Sequence, residues 1–158
     1  MFMKNLKYLI NTVFLLIGMI GFSSCLESDL DELPAYSGAD ITDFYFEYRY
    51  EVKRSDGVTD IKYMRMSPVG KQISGESYAV TIRVPGVDGT FDETQRANVS
   101  LNNLVGYCYL STAAKIEPID GAPQLGNIGN FSSPVKYKVT AADGKTMKTW
   151  TVTVTLNR

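Results

Sequence analysis

From Ile41 the chain alternates. Phe44, Phe46, Tyr48, Tyr50 and Val52 take one phase, and Tyr45, Glu47, Arg49 and Glu51 take the other. Successive side chains of an extended chain point to opposite faces, so this run predicts a strand with one buried and one wetted side. The same period returns at the C-terminus. Trp150, Val152, Val154 and Leu156 alternate with Thr149, Thr151, Thr153 and Thr155, and Val135, Tyr137 and Val139 alternate with Lys136, Lys138 and Thr140. Threonine and lysine belong at the water, which assigns Trp150 and its phase to the core. Asp143-Gly144 reads as a two-residue turn that sets Ala142 opposite Lys145. Counting back, Tyr137 faces Trp150 and Val135 faces Val152, so turn and hydrophobic phase agree.

The remaining segments fit the same plan. Ser55-Asp56-Gly57 is a turn signal, a second strand covers Thr59–Met66, and Ser67-Pro68-Val69-Gly70 ends it. Tyr78, Val80, Ile82 and Val84 mark a third strand, stopped by Pro85-Gly86. Residues 85–96 read as a loop. Val99–Leu101 and Val105–Ser111 read as short strands separated at Asn102-Asn103, with another over Ala113–Glu117. Residues 118–134, with Pro118, Gly121, Pro123, Gly126, Gly129 and Pro134, form a long connection. Nothing after the leader carries a helical stripe. About seven short strands with turns between them predict an all-β, two-sheet antiparallel β-sandwich. End loops often carry function in such folds, which makes residues 85–96 and 118–134 candidate contact surfaces.

The N-terminus sets an address. Lys4 and Lys7 precede a short apolar run, Val13–Ile20, which small residues close before Cys25. An apolar stretch this short is a signal peptide and not a spanning helix. Residues 1–24 are the expected leader, 25–40 an acidic flexible tether and 41–158 the domain. Without the leader 134 of the 158 residues remain, enough for one core and too few for two. The leader's lysines are its only charges, so its removal takes the net charge from −1 to −3. That acidity argues against nucleic acid as a partner.

Phe22-Ser23-Ser24-Cys25 resembles the lipobox of bacterial lipoproteins, which implies that Cys25 becomes the first mature residue and carries the lipid. Phe22 departs from the usual Leu. Leu26 in place of Asp implies the outer membrane. The acids of Glu27-Ser28-Asp29-Leu30-Asp31-Glu32 resemble the surface-export signal of Bacteroidetes lipoproteins. The closing run from Phe131 to Leu156, with Ile41-Thr42-Asp43-Phe44 and Ile116-Glu117-Pro118, resembles Ig-like domains of uncharacterised Bacteroidetes lipoproteins. The resemblance implies an Ig-like sandwich and brings no catalytic residues.

The side-chain inventory excludes much chemistry. The chain has no histidine, which removes Ser-His-Asp and Cys-His catalysis and imidazole-based zinc sites. It has no glycine-rich phosphate loop. No cofactor or metal is expected: Asp88, Asp92 and Glu93 share a loop without the spacing of an EF-hand and read as a solvated turn. With Cys25 acylated, Cys108 has no partner and reads as a small buried hydrophobe in Val105–Leu110. Glu47, Arg49 and Glu51 read as a charge-paired outer strand face. Of ten tyrosines, Tyr45, Tyr63, Tyr107 and Tyr109 are the candidates for an exposed ligand platform, although Tyr107 and Tyr109 share a phase that could equally face the core. The expected function is a non-catalytic, lipid-anchored surface binding module for a glycan or nutrient. The alternative is a structural or adhesive sandwich that pairs with a protein partner through an edge strand.

Overall fold

The computed structural model describes residues 35–158; the leader, Cys25 and the tether up to residue 34 lie outside them. The described chain forms two sheets packed face to face. One has four strands in the order β2-β1-β5-β7, namely Thr59–Arg65, Ile41–Lys53, Leu104–Leu110 and Ile128–Gly129. The other has five in the order β3-β4-β9-β8-β6, namely Ser67–Ser74, Ser77–Arg83, Met147–Asn157, Val135–Thr140 and Lys115–Ile119. A short helix, α1, spans Glu93–Asn98. The fold is the expected β-sandwich, with nine strands among the described residues in place of about seven. No described helix is long and apolar enough to cross a membrane.

The alternating runs land as their phases require. Phe44, Phe46, Tyr48 and Tyr50 are buried from the four-stranded sheet, and Tyr78, Val80, Ile82, Tyr137, Val139, Trp150 and Val152 from the other. The Phe44 ring lies 5.2 Å from Phe46 and 6.0 Å from both Tyr78 and Tyr137. Phe46 meets Phe131 edge-on at 5.0 Å. These rings close over Gly106, where a Cβ would come within 2.8 Å of Phe131 Cζ, so only glycine fits beneath them. The Tyr78 hydroxyl ties the sheets together: it donates to Asp43 Oδ1 at 2.7 Å and accepts the Phe44 N–H at 2.9 Å.

The closing hairpin keeps the expected register, with Tyr137 opposite Trp150 and Val135 opposite Val152. Its turn is larger than expected. The ladder closes where the Ala141 N–H meets Thr146 O, leaving a loop over 142–145. Asp143 Oδ1 accepts the N–H groups of Lys145 and Thr146, and Gly144 takes φ +66°. Turn and strand phase still agree because the loop length stays even.

Several elements differ from the sequence expectation. Ser67–Gly70 does not end the sheet pairing but opens β3, which pairs with β4 and slips register between Pro68 and Gly70. β3 is exposed along its whole length, so it has no buried phase to betray it. The loop over 85–96 contains most of α1, whose six residues bury none of their side chains and so carry no stripe. Val99–Leu101 is not a strand; Asn103 Oδ1 caps it as a turn by accepting the Ser100 N–H. The long connection holds the end of β6 and all of β7. The sandwich is also not wholly antiparallel: β4 runs parallel to β9 from Ser77/Thr151 to Arg83/Asn157. Parallel neighbours need a long crossover, and these strands are far apart in the chain, a relation no local pattern encodes.

Residues Tyr36–Asp40, within the segment read as tether, dock on the sandwich. Ala39 is fully buried and its carbonyl accepts the Trp150 Nε1–H at 2.9 Å. Asp40 pairs with Lys148 at 2.6 Å and donates its N–H to Ser111 Oγ. Trp150, 2% exposed, therefore carries both packing and the bond that seats this segment. Trp150→Ala is expected to cost about 3–5 kcal/mol in urea unfolding. Wild-type tryptophan emission should be blue-shifted in the native state and move to the red on unfolding.

Candidate functional site

The phase that buries Phe44 and Phe46 sends Tyr45, Glu47 and Arg49 to the outer face of the four-stranded sheet. Pairing then brings its neighbours to the same face. Tyr107 stands opposite Tyr45 and Tyr109 opposite Asp43 on β5, and Tyr63 opposite Arg49 and Arg65 opposite Glu47 on β2. All four candidate tyrosines thus share one solvent-facing sheet surface, and Tyr107 and Tyr109 do not belong to the core phase.

Their rings are not equivalent. Tyr45 and Tyr107 stack at 4.9 Å with an interplanar angle of 12°. The Arg65 guanidinium lies 4.7 Å from the Tyr45 centroid. Since β2 and β5 flank β1, Tyr45 is held between Arg65 and Tyr107 and offers an edge, not a face. Arg49 Nη2 donates to the Tyr107 hydroxyl at 2.6 Å, and Arg65 pairs with Glu47 at 3.4 Å. Glu47 is only 8% exposed although it sits on the outer face, so its charge is spent on Arg65. Arg49 reaches a tyrosine in place of the flanking acids expected for it.

Tyr63 and Tyr109 remain open, at 64% and 59% exposure. Ile61 and Ile128 extend the exposed apolar surface on this face. Six residues along β1 and two strand spacings separate the positions of Tyr63 and Tyr109, a diagonal of roughly 22 Å. Two open rings, a stacked pair between them and two guanidinium groups make a surface suited to a flat ligand with many hydroxyls.

The end loops serve the core first. Phe91 is fully buried against Tyr48 and Tyr50. Asp92, one of the three clustered acids, caps α1 by accepting the Gln95 N–H at 2.8 Å. In the long connection, Phe131 is buried and the Pro123 carbonyl accepts the Tyr137 hydroxyl at 2.8 Å. That connection leaves a shallow polar cleft of about 300 Å³ lined by Asp120, Asn130, Ser132 and Lys136, whose charges already pair at 3.0 Å. Among the described residues no group of three His, Cys, Asp or Glu side chains is placed to hold a metal ion.

Cys108 lies opposite Phe44 on the inner phase of β5, packed against the core. Burial pushes its thiol up to about 11 from 9.0. Less of it is thiolate at pH 8, and the thiolate is the reactive form. A thiol reagent at pH 8 should label Cys108 at least about tenfold more slowly in the native protein than in the urea-unfolded chain.

No curated protein matches the chain. Among solved structures, a Bacteroides fragilis protein described as secreted is 37% identical, with a TM-score of 0.70 over 79% of this chain and 100% of that one. A Bacteroides thetaiotaomicron protein described as a glycoside hydrolase is 27% identical over 82% of this chain and 28% of that one, at a TM-score of 0.42 too low to bear on this domain. The DUF5018-related family model matches residues 41–153, nearly the whole sandwich from β1 into β9. The chain belongs to the DUF5018-related family.

Proposed function

We propose that this protein is a non-catalytic glycan-binding lipoprotein, anchored through Cys25 in the outer membrane and facing the cell exterior. Its ligand surface is the tyrosine face of the four-stranded sheet. The observation that carries the reading is the convergence of Tyr45, Tyr63, Tyr107 and Tyr109 on one solvent-facing surface, with the rings of Tyr63 and Tyr109 open. Saccharide rings present C–H faces that stack on flat aromatic side chains, while their hydroxyls take hydrogen bonds from guanidinium and phenol groups. The lack of histidine, the use of Asp92 as a helix cap and the pairing of Glu47 with Arg65 support binding without chemistry. The leader and the likeness to a Bacteroides protein described as secreted support this address. Acyl chains on Cys25 would hold the domain at the membrane, each buried methylene adding about 0.8 kcal/mol.

The alternative is a structural or adhesive sandwich that pairs with a protein partner. One observation favours it: among the described residues β2 ends its sheet with an exposed edge that no other strand pairs.

Affinity electrophoresis against a panel of soluble polysaccharides separates the two. Retardation by a polysaccharide, weakened at least tenfold in Tyr63→Ala and in Tyr109→Ala with unchanged thermal stability, supports the glycan reading. Retardation that both variants leave intact would move the ligand elsewhere. Absence of binding across the panel, with co-purification of a protein, would favour the alternative. For the anchor, Cys25→Ala should abolish acyl labelling and shift the protein from the detergent phase to the aqueous phase; acyl labelling that persists would exclude Cys25 as the attachment point.

A further inference from the structure

Among the described residues four strands end the two sheets, and three of them are blunted. β3 carries Pro68 and a register slip. β6 contains Pro118, and β7 has two residues. β2 has no such device. Its seven residues, Thr59–Arg65, contain neither Pro nor Gly and pair with β1 in unbroken register. Thr59, Ile61, Lys62, Tyr63 and Arg65 are exposed. A row of unpaired backbone groups on a regular edge is a template for another strand.

The ladder says which groups are free. Arg54 N–H donates to Val58 O, and Met66 N–H donates to Phe46 O, at the two ends of the β1–β2 pair. Bonded and non-bonded pairs alternate in an antiparallel ladder. Asp60, Lys62 and Met64 therefore bond to β1, while Thr59, Ile61, Tyr63 and Arg65 turn their N–H and C=O groups to the open edge. A copy of β2 added antiparallel must pair these odd-numbered residues with one another. Three registers do so with substantial overlap. With Ile61 opposite itself, Asp60 of each strand meets Lys62 of the other, and Thr59 meets Tyr63. With Ile61 opposite Tyr63, Lys62 meets Lys62. With Tyr63 opposite itself, Lys62 meets Met64 and no charges are matched. Opposite charges across a strand pair attract and like charges repel, most where the non-bonded pair brings side chains close. Asp60 also lies 3.7 Å from Arg54 and stays 39% exposed, accessible to a second cation.

We propose that β2 docks antiparallel on β2 of a second copy about a two-fold axis at Ile61, with Asp60 of each facing Lys62 of the other. The two four-stranded sheets then join into one, and their outer faces become continuous. Tyr63 of each copy stands opposite Thr59 of the other, so the tyrosine surface runs through the interface. The proposal rests on the edge and its charges, and it stands whether or not that surface binds a glycan.

The test uses the whole chain expressed with its own leader. In the proposed register two copies of residue 61 form a hydrogen-bonded pair about 5.5 Å apart at Cα, within disulfide reach. Two copies of residue 63 are offset by four positions, about 13 Å. Ile61→Cys should form a reducible dimer under mild oxidation, and wild type and Tyr63→Cys should not. Lys62→Asp puts acid against acid and Asp60→Lys puts base against base. Each alone should self-associate at least about tenfold more weakly in sedimentation equilibrium. An equimolar mixture of the two, in which every pair is again opposite in charge, should recover a heterodimer. Circular dichroism checks that each variant is folded. Cross-linking of Tyr63→Cys as readily as Ile61→Cys would overturn the register. A monomer at all concentrations with Ile61→Cys uncross-linked would overturn the dimer, and so would single charge variants that associate like wild type or a mixture that fails to.

Discussion

The packing of Phe44 and Phe46 over Gly106 and Phe131 fixes nearly everything else in this domain. β1 runs through the interior of its sheet with β2 on one side and β5 on the other. Once its even-numbered aromatics are buried, a period of two leaves its odd-numbered residues no choice but the opposite face. Register does the rest, since directly opposed residues point the same way. Tyr107 faces outward because Tyr45 does, and Tyr63 because Arg49 does. The candidate site is thus a consequence of core packing on the other side of the same strand. A one-residue slip of β1 would bring Tyr45 inward and dismantle core and surface together.

This explains what the sequence made legible. Alternation in β1, β8 and β9 is strong because each buries one face and wets the other, and the hairpin from Val135 to Val152 could be counted residue by residue. The four tyrosines could be chosen one strand at a time. Which of them keeps an open ring could not, because that depends on the registers of three strands at once and on where Arg65 lies. β3 and α1 left no trace for a different reason: neither buries a face, and a pattern of burial is the signal that sequence reading detects. The parallel pairing of β4 with β9 joins segments too distant for any local signal. The docking of Tyr36–Asp40 depends on one indole N–H finding one carbonyl, which composition does not reveal.

The structure also shifts attention from the loops to the sheet. In many sandwiches the end loops are free to vary because the sheets alone make the core. Here the loop after β4 delivers Phe91 and the connection before β8 delivers Phe131, both buried to 1% exposure or less. Those loops are anchored by the rings they contribute. Replacing them would remove core volume along with any contact surface, so a loss of binding there would say little about recognition. The sheet face has no such double duty: its open rings lie outside the core, and the contact of Tyr109 with Tyr45, at 5.6 Å between ring centroids, is itself on the outer face.

The use of the phenol hydroxyl separates structural from available tyrosines. Each buried tyrosine ring in the core has its hydroxyl engaged. Tyr48 reaches Gln95 and Tyr50 reaches Thr90. Tyr78 reaches Asp43 and Tyr137 reaches Pro123. Burial raises the pKa of Tyr48, Tyr78 and Tyr137, as expected where ionisation would strand a charge among apolar groups. A buried hydroxyl without a partner would cost free energy, so these bonds are what permit tyrosine where phenylalanine would otherwise serve. On the outer face Tyr107 takes Arg49 as its partner. Among the described residues the hydroxyls of Tyr63 and Tyr109 have none, and the core asks for an aromatic ring at neither position, although Tyr109 leans on Tyr45 at 5.6 Å on the outer face. A large ring left open to water on a rigid strand adds little to folding. Its stiffness is an advantage only to something that binds, because a ring already fixed in place loses little side-chain entropy when a ligand covers it.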